Sequence, residues 1–272
     1  MFNVSGIEWC THTWNPVTGC LHGCDYCYAR KIARRFAGCY DPKADENIKQ
    51  HEAGILHMKH TGHVFYKTKR GKVVRAPFPY GFTPTFHTYR LDDPAQHKKP
   101  AIVFVGSMCD LFGEWVPDEW IEEVFEACAA APWHTYLFLT KNPERYNRFR
   151  RAGMLPEKHW YGTTVTKYID RFFRGDPNLP STVRKTFASI EPLLGPVISD
   201  HPIRAALNPV DWIIIGAETG NRKGKVVPER AWVEDICTAA DAAGAPVFMK
   251  ESLLPIMGAG GMRREFPAEL RR

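Results

Sequence analysis

The chain has 272 residues and a mass of 31.0 kDa, near the upper size of a single hydrophobic core. Hydrophobic residues at 44% and charged residues at 24% are typical of a globular protein and exclude an intrinsically disordered one. The sequence has no run of about 18 apolar residues, and residues 1–10 lack the basic and then apolar pattern of a signal peptide. We therefore expect a soluble, cytoplasmic protein that does not associate with membranes.

Near the amino terminus, a predicted strand at Thr13–Gly19 leads into a loop with three closely spaced cysteines. The loop reads GCLHGCDYCY over Gly19–Tyr28, a C-x3-C-x2-C spacing with an aromatic residue directly before the last cysteine. A helix is predicted over Tyr28–Ala37. Close-spaced thiols in a reducing cytosol bind metal or do chemistry more often than they form disulfides. Three thiolates on one loop can hold three irons of a [4Fe–4S] cluster and leave the fourth iron open.

Three other interpretations of this loop remain open. The first is a zinc site, in which a fourth ligand joins Cys20, Cys24 and Cys27. The candidates for that fourth ligand are His22, Cys10 and Cys39. The second is an electron-transfer cluster with four cysteine ligands, and the third is a set of packed cysteines with no bound group.

Residues 38–100 have less strand and helix pattern than the rest and are interpreted as an insertion. The net charge of +6 is concentrated there, because the segment Lys59–Arg75 has six basic residues and no acidic one. The sequence VFYKTKRGKVVRAPF within it predicts a β-hairpin with its turn at Lys69–Lys72. Such a hairpin can hold a phosphate backbone and stack a base, or it can be a solvated edge protected by lysines.

Beyond residue 100, apolar runs alternate with amphipathic helices, which predicts βαβ units and a parallel sheet. The predicted strands are Ile102–Gly106, Thr135–Leu139, Trp160–Val165, Lys185–Ile190, Trp212–Gly216 and Pro246–Met249. Pro117, Asn142 and Pro228 mark predicted helix starts, and Gly244 marks a helix end. The pattern fits either an open doubly wound sheet or a full or partial β/α barrel.

Polar or ionisable residues stand at the carboxyl end of almost every predicted strand, and in a barrel they would meet at one mouth. They include Ser107, Asp110, Lys141, Thr164, Ser189, Glu191 and Glu218. Polar residues at strand ends can also simply face solvent. We expect an α/β fold with a partial (β/α)6–7 TIM-like barrel in a single domain over residues 1–272, and an enzyme site at the barrel mouth.

The cysteine spacing, placed after a first strand and ahead of parallel β/α units, resembles the radical S-adenosylmethionine (SAM) superfamily. Over nearly its whole length the chain also resembles a phage-associated, largely uncharacterised radical-SAM-like family. The blocks are IEWCTHTWNPVTGC, FTPTFHTYRLDDP, VFVGSMCDLFGEW, LFLTKNPERY, SIEPLLGPV, DWIIIGAETG and AAGAPVFMKE. Members of that family usually have a C-x6-C-x2-C loop, whereas this chain has the standard superfamily spacing.

The resemblance implies that Cys20, Cys24 and Cys27 bind a [4Fe–4S] cluster whose open iron is chelated by SAM. Reductive cleavage of SAM would yield methionine and a 5′-deoxyadenosyl radical that abstracts hydrogen from a substrate. Tyr26 would lie against the adenine. Ser107 and Asp110 would contact the methionyl amine.

The remaining implied SAM contacts come from later strands. Thr164, Ser189 and Glu191 would reach the ribose or carboxylate, and Gly216 and Glu218 would reach the adenine side. The resemblance also implies an electron donor such as flavodoxin or ferredoxin. It identifies no substrate, and the basic insertion suggests an anionic one such as DNA, RNA or a nucleotide.

Cys109 follows the strand at Ile102–Gly106 and is interpreted in two ways. A thiol at a strand end can donate a hydrogen atom to a product radical, which would make Cys109 catalytic. It can equally be a small buried apolar residue.

Overall fold

The described chain forms an α/β fold in which the longer strands run parallel. The computed structural model describes residues 2–36, 58–59, 65–68, 70–166, 185–197 and 210–271. The chain divides into two compact units, Met1–Tyr136 and Leu137–Arg272. Each unit contains some of the residues that the sequence predicts to be functional.

The first unit contains the cysteine loop and the basic insertion. Its strands are β1 (Phe2–Val4), β2 (His12–Trp14), β3 (Val17–Thr18), β4 (Met58–Lys59), β5 (Phe65–Lys67), β6 (Val73–Arg75), β7 (Thr85–Phe86) and β8 (Ile102–Val105). Its helices are α1 (Tyr28–Phe36), α2 (Asp93–Gln96) and α3 (Asp118–Ala130). β2 runs parallel to β8 and antiparallel to β1, while β7 pairs with β3 and β4 in a small second sheet.

The prediction of one strand over Thr13–Gly19 is wrong in detail. The chain forms β2, breaks at Asn15 and Pro16, and resumes as β3 in the other sheet. Proline has no backbone N–H to donate, so Pro16 cannot continue a ladder between two neighbouring strands. The break places the start of the cysteine loop beside β7 and the end of β8.

The predicted hairpin in the insertion is confirmed. β5 and β6 pair antiparallel, with Phe65 opposite Arg75, and the Thr68 N–H donates to the Lys72 carbonyl at 2.8 Å. Arg70 and Lys72 are exposed at the turn, and Lys69 lies outside the described residues. At the end of the hairpin, the guanidinium of Arg75 lies 4.4 Å from the centre of the Tyr89 ring and makes a cation–π contact.

The second unit confirms the predicted parallel sheet. Its strands are β9 (Thr135–Thr140, which begins at the end of the first unit), β10 (Trp160–Thr164), β11 (Thr186–Ile190), β12 (Trp212–Ile215) and β13 (Val247–Met249). They lie side by side in chain order, and every pair is parallel. Four consecutive apolar residues make up β12, and all are fully buried, as expected for a strand covered on both faces.

The helices begin and end close to the predicted signals. α3 follows Pro117, and α4 (Pro143–Arg151) has Asn142 at its N-cap position. α5 (Arg230–Ala243) begins two residues after Pro228 and ends at Gly244. α6 (Leu254–Met257) was not predicted. Among the described residues, no helix has the length and apolar character needed to cross a membrane.

His159, which directly precedes β10, is buried beside the rings of Phe138 and Tyr161. Burial, with a smaller contribution from the positive charges of Lys158 and Lys185, lowers the pKa of His159 to about 3. Because the folded-state pKa lies below the unfolded value, the unfolded chain binds more protons in the interval between the two. The neutral histidine therefore contributes stability above about pH 6.5 that is lost as the pH falls.

We expect the free energy of unfolding of the wild-type chain to decrease between about pH 7 and pH 4, with a shallower decrease in His159→Phe. Urea titrations followed by circular dichroism at several pH values measure both slopes. Equal slopes in the two proteins would contradict the assignment of a buried neutral histidine.

Candidate functional site

Backbone hydrogen bonds from two distant segments fix the start of the cysteine loop. The Gly19 N–H donates to the Met108 carbonyl at 2.9 Å, and Gly19 forms an isolated parallel bridge with Cys109. The next amide, that of Cys20, donates to the Phe82 carbonyl at 3.2 Å. The first cysteine is thus placed between the end of β8 and the turn that precedes β7.

Gly19 packs so closely that no side chain fits. Its φ is +89°, and a Cβ there would lie 2.2 Å from the carbonyl oxygen of Thr83. Gly23 also has a positive φ, +74°, but a Cβ there would have no neighbour within 4 Å. The two glycines of the loop therefore meet different constraints: Gly19 needs both space and conformation, while Gly23 needs conformation alone.

The end of the loop is fixed by its continuation into α1. The Cys27 N–H donates to the Cys24 carbonyl at 3.3 Å, and the Arg30 N–H donates to the Cys27 sulfur at 3.3 Å. The buried face of α1 belongs to a small apolar cluster that includes Cys27. The other members of that cluster are Ala29, Ala33, Phe78, Phe82 and Met108.

The three thiols of the loop are free and half-buried. The pKa of Cys20 is raised to about 12, mainly by burial and to a smaller degree by negative charge on Asp110, Cys24 or Cys27, while a hydrogen bond from the His22 amide acts in the opposite direction. Deprotonated together, the thiolates would repel one another. This donor set therefore fits a positively charged metal group, which would stabilise the thiolate forms.

The described residues contain no group of three His, Cys, Asp or Glu side chains placed to hold a metal ion. Thiolates around one zinc ion sit about 2.3 Å from it, so their sulfurs must approach a common point. In a [4Fe–4S] cluster each cysteine binds a different iron atom, so the three sulfurs do not need to approach one common point.

A buried polar network organises the turn after β8, where two predicted site residues lie. The Asn15 Oδ1 accepts the Met108 N–H at 2.9 Å, and the amide group of Asn15 hydrogen-bonds the Ser107 hydroxyl at 3.1 and 3.2 Å. The guanidinium of Arg90, only 3% exposed, donates to the carbonyls of Asn15 (2.8 Å) and Pro77 (3.0 Å). Ser107 is therefore held in place from the end of β2.

Asp110, another predicted site residue, contacts the cysteine loop directly. Its Oδ2 accepts the Nε2–H of His22 at 2.7 Å, and its Oδ1 accepts the Phe112 N–H at 3.1 Å. The ring of His22 meets the ring of Trp115 edge-on, with centroids 4.7 Å apart and planes at 81°. The residue midway between the first two cysteines is thereby joined to the segment after β8.

Cys109 and Tyr26 also lie in this region. Burial and the nearby Asp110 and Cys20 raise the pKa of Cys109 well above the usual thiol value, which keeps its S–H protonated. Tyr26 is half-buried within the loop. Tyr28, the first residue of α1, donates its hydroxyl to the Ser107 carbonyl at 2.6 Å.

The second unit gathers its own predicted residues along the carboxyl edge of β10–β13. Thr164 ends β10, Ser189 lies buried near the end of β11, and Glu191 follows β11. Glu191 forms an ion pair with Lys250, which follows β13. This ion pair lies beside Gly216, which directly follows β12. A Cβ at residue 216 would lie 3.1 Å from the Lys250 side chain.

Glu218, two residues beyond Gly216, is held by a bidentate ion pair. The Arg222 Nε and Nη2 lie 2.6 and 2.7 Å from its two carboxylate oxygens, and the Glu218 side chain is 2% exposed. The hydrogen bond from Arg222 lowers the pKa of Glu218. Glu218 therefore presents a fixed carboxylate at this edge.

A cleft of about 490 Å³ opens at the opposite, amino-terminal edge of the same strands. Its lining includes Trp160 and Pro246, which start or precede β10 and β13, together with Asp211, Arg263 and Glu265. None of the predicted site residues lines this cleft.

Sequence reasoning missed three residues that shape the first unit's site: Asn15, Arg90 and Trp115. Asn15 carried a usable signal, because it is a polar residue directly after a strand, as Ser107 is. The contacts of Arg90 and Trp115 are with residues distant in the sequence, or they depend on the conformation of a turn. No local sequence pattern therefore marks Arg90 or Trp115.

The chain belongs to a protein family described as "Protein of unknown function (DUF5131)", whose sequence model matches residues 4–253. That description names neither a phage association nor an activity. No curated protein matches the chain.

Two solved structures have a distant likeness to the chain. One is described as spore photoproduct lyase complexed with dinucleoside spore photoproduct, 13% identical over 92% of this chain and 79% of that one, with a TM-score of 0.49. The other is a cysteine-to-serine mutant of spore photoproduct lyase, 14% identical with the same coverage and TM-score.

The difference between the two loop glycines gives a direct test of the loop geometry. Gly23→Ala places a Cβ on a residue with a left-handed backbone conformation but causes no clash. It is expected to lower the free energy of unfolding by about 1–2 kcal/mol. Gly19→Ala adds a clash with Thr83 and is expected to cost about 1–3 kcal/mol more. Urea unfolding of the metal-free chains measures both, and equal losses would contradict the close packing at Gly19.

Proposed function

We propose that this protein is a radical SAM enzyme. The observation that carries the proposal is the loop Gly19–Tyr28, in which three free thiols in the C-x3-C-x2-C spacing are held between the end of β8 and α1. The phage-associated radical-SAM-like family, which the sequence blocks resemble, remains part of this proposal.

Cys20, Cys24 and Cys27 would hold a [4Fe–4S] cluster with one open iron. With SAM bound, that cofactor pair supplies reductive cleavage of the sulfonium to methionine and a 5′-deoxyadenosyl radical. The chain's own part is to position the groups and to exclude water. Cys109 keeps its S–H beside the loop and is the proposed hydrogen-atom donor to a product radical.

The proposed SAM contacts are those that the family resemblance implies. Tyr26 would lie against the adenine, and Ser107 would face the methionyl amine. Asp110, whose carboxylate accepts hydrogen bonds from His22 and Phe112, is the other proposed contact of the methionyl amine. From the second unit, the proposed contacts are Thr164, Ser189, Glu191, Gly216 and Glu218. In this proposal the parallel strands belong to a partial TIM-like barrel within a single domain.

The proposed substrate is anionic, namely DNA, RNA or a nucleotide, and the proposed reductant is a carrier such as flavodoxin or ferredoxin. The first unit has two basic surfaces that support this. One is the hairpin turn with Arg70 and Lys72, and the other is α1, which has four basic residues and no acidic one. The four are Arg30, Lys31, Arg34 and Arg35.

One contact favours a second candidate, a zinc-binding protein that recognises nucleic acid without catalysis. Histidines that bind metal through one ring nitrogen commonly donate the other N–H to a carboxylate, and the Nε2–H of His22 already donates to Asp110. In that case Nδ1 of His22 would join the three thiolates around zinc. The metal content of the purified protein separates the two candidates.

Anaerobic reconstitution tests the cluster ligands. We expect the wild-type chain to bind about four irons and four sulfides and Cys24→Ala to lose the intact cluster, because one of its three protein ligands is gone. Cys237→Ala is the matched control, since Cys237 is a half-buried free cysteine in α5 of the second unit. Wild-type iron content in Cys24→Ala would remove Cys24 from the ligand set. Formation of 5′-deoxyadenosine from SAM and dithionite then tests the activity.

Nucleic-acid binding through the hairpin is tested by charge reversal at its turn. Arg70→Glu with Lys72→Glu should weaken binding to mixed-sequence DNA or RNA and reduce the slope of log affinity against log salt by about 2. Lys99→Glu with Lys158→Glu is the control, because both of these lysines are exposed and lie outside the hairpin. Fluorescence anisotropy at several salt concentrations gives the slopes, and equal slopes in both double mutants would exclude the hairpin as the binding surface.

A further inference from the structure

His22 is the residue of the C-x3-C segment that turns toward the protein. It lies midway between Cys20 and Cys24, and its side chain is 23% exposed, whereas the neighbouring Leu21 is 48% exposed. Gly23, on its other side, is exposed as well. Of the three residues between the first two cysteines, His22 is therefore the one held by tertiary contacts.

The contacts of His22 come from a segment 88 residues further along the chain. Its Nε2–H donates to the Asp110 carboxylate, whose side chain is 7% exposed, and the other oxygen of that carboxylate accepts the Phe112 amide. The carboxylate therefore has little freedom to move. A hydrogen bond to an ionised acceptor in a nearly buried position is stronger than an exposed neutral one.

Trp115 fixes the orientation of the His22 ring. The two rings pack edge-to-face at 4.7 Å. Gly113 leaves room for this tryptophan, because a Cβ at residue 113 would stand 2.3 Å from the indole ring. Donor direction and ring plane of His22 are thus both set by the segment that follows β8.

We propose that Asp110 is a positioning residue that acts through His22 to hold the Cys20–Cys24 segment in its cluster-binding conformation. A loop ordered in advance loses less conformational entropy when it binds its ligand. The same contact places a fixed negative charge beside the loop, and charge and hydrogen bonding near a cluster set its reduction potential. The second consequence rests on the proposed function; the first concerns the chain itself.

Amide hydrogen exchange of the full-length, metal-free protein tests the positioning role without a cluster. Asp110→Ala removes the acceptor and His22→Phe removes the donor while keeping a ring for Trp115. Both should increase the exchange rate of the amides at residues 20–24 by about tenfold or more. Asp110→Asn keeps an acceptor oxygen and should restore much of the protection. Exchange as slow as in the wild type in both Asp110→Ala and His22→Phe would overturn the proposal.

Reconstituted protein tests the effect of the charge. Asp110→Asn should take up iron as the wild type does and shift the cluster potential to a more positive value, measured by an EPR-monitored redox titration without SAM. Asp25→Asn is the matched control, because it removes one carboxylate from the same loop at an exposed position where water screens the charge. A shift in Asp110→Asn no larger than that in Asp25→Asn would overturn the electrostatic part.

Two further outcomes are distinguishable. Zinc bound by the wild type and lost in His22→Phe, without a change of exchange rate in Asp110→Ala, would identify His22 as a ligand and overturn its positioning role. If the wild type binds no cluster under any condition, the proposed function fails, while the exchange rates still decide whether Asp110 holds the loop.

Discussion

The contact between Gly19 and Thr83 is the constraint on which the geometry of the first unit's site depends. At this point the backbone of the cysteine loop lies against the turn before β7 with no room for a single methyl group. The amides of Gly19 and Cys20 are then in reach of carbonyls from two different segments, Met108 and Phe82. Since buried backbone groups must be paired, these bonds and the close approach support each other.

Much of the fold is predictable from the sequence because its strands are continuous apolar runs bounded by polar residues. β8 to β13 follow that pattern, and their observed ends lie within one or two residues of the expected ones. The break at Asn15–Pro16 has a local signal in the proline, but the sequence does not show that the chain resumes in a different sheet. β1 has only three residues, two of them exposed, and so carries almost no pattern.

The cysteine loop could be found from spacing alone, whereas the residues that support it could not. The contact between His22 and Asp110 joins residues 88 positions apart, and Arg90 donates to the backbone carbonyls of two other segments. Neither arrangement leaves a local periodicity. Charge counting also has a limit. The charge of the segment Lys59–Arg75 equals the whole net charge, whereas the four positive charges of α1 do not show in the total because acidic residues elsewhere cancel them.

The packing of α1 has a consequence for the order of events in biogenesis. Cys27 belongs to an apolar cluster with Ala29, Ala33 and Met108, so its position is settled by side chains that have no part in holding metal. Small zinc domains differ, since metal binding supplies their folding free energy and the empty chain is unfolded. In this protein the apolar cluster around α1 contributes folding free energy without metal, so we expect the metal-free chain to fold. If the proposed cluster is supplied by a delivery protein, that protein would meet a folded loop, with Leu21 and Tyr28 exposed, rather than an extended polypeptide.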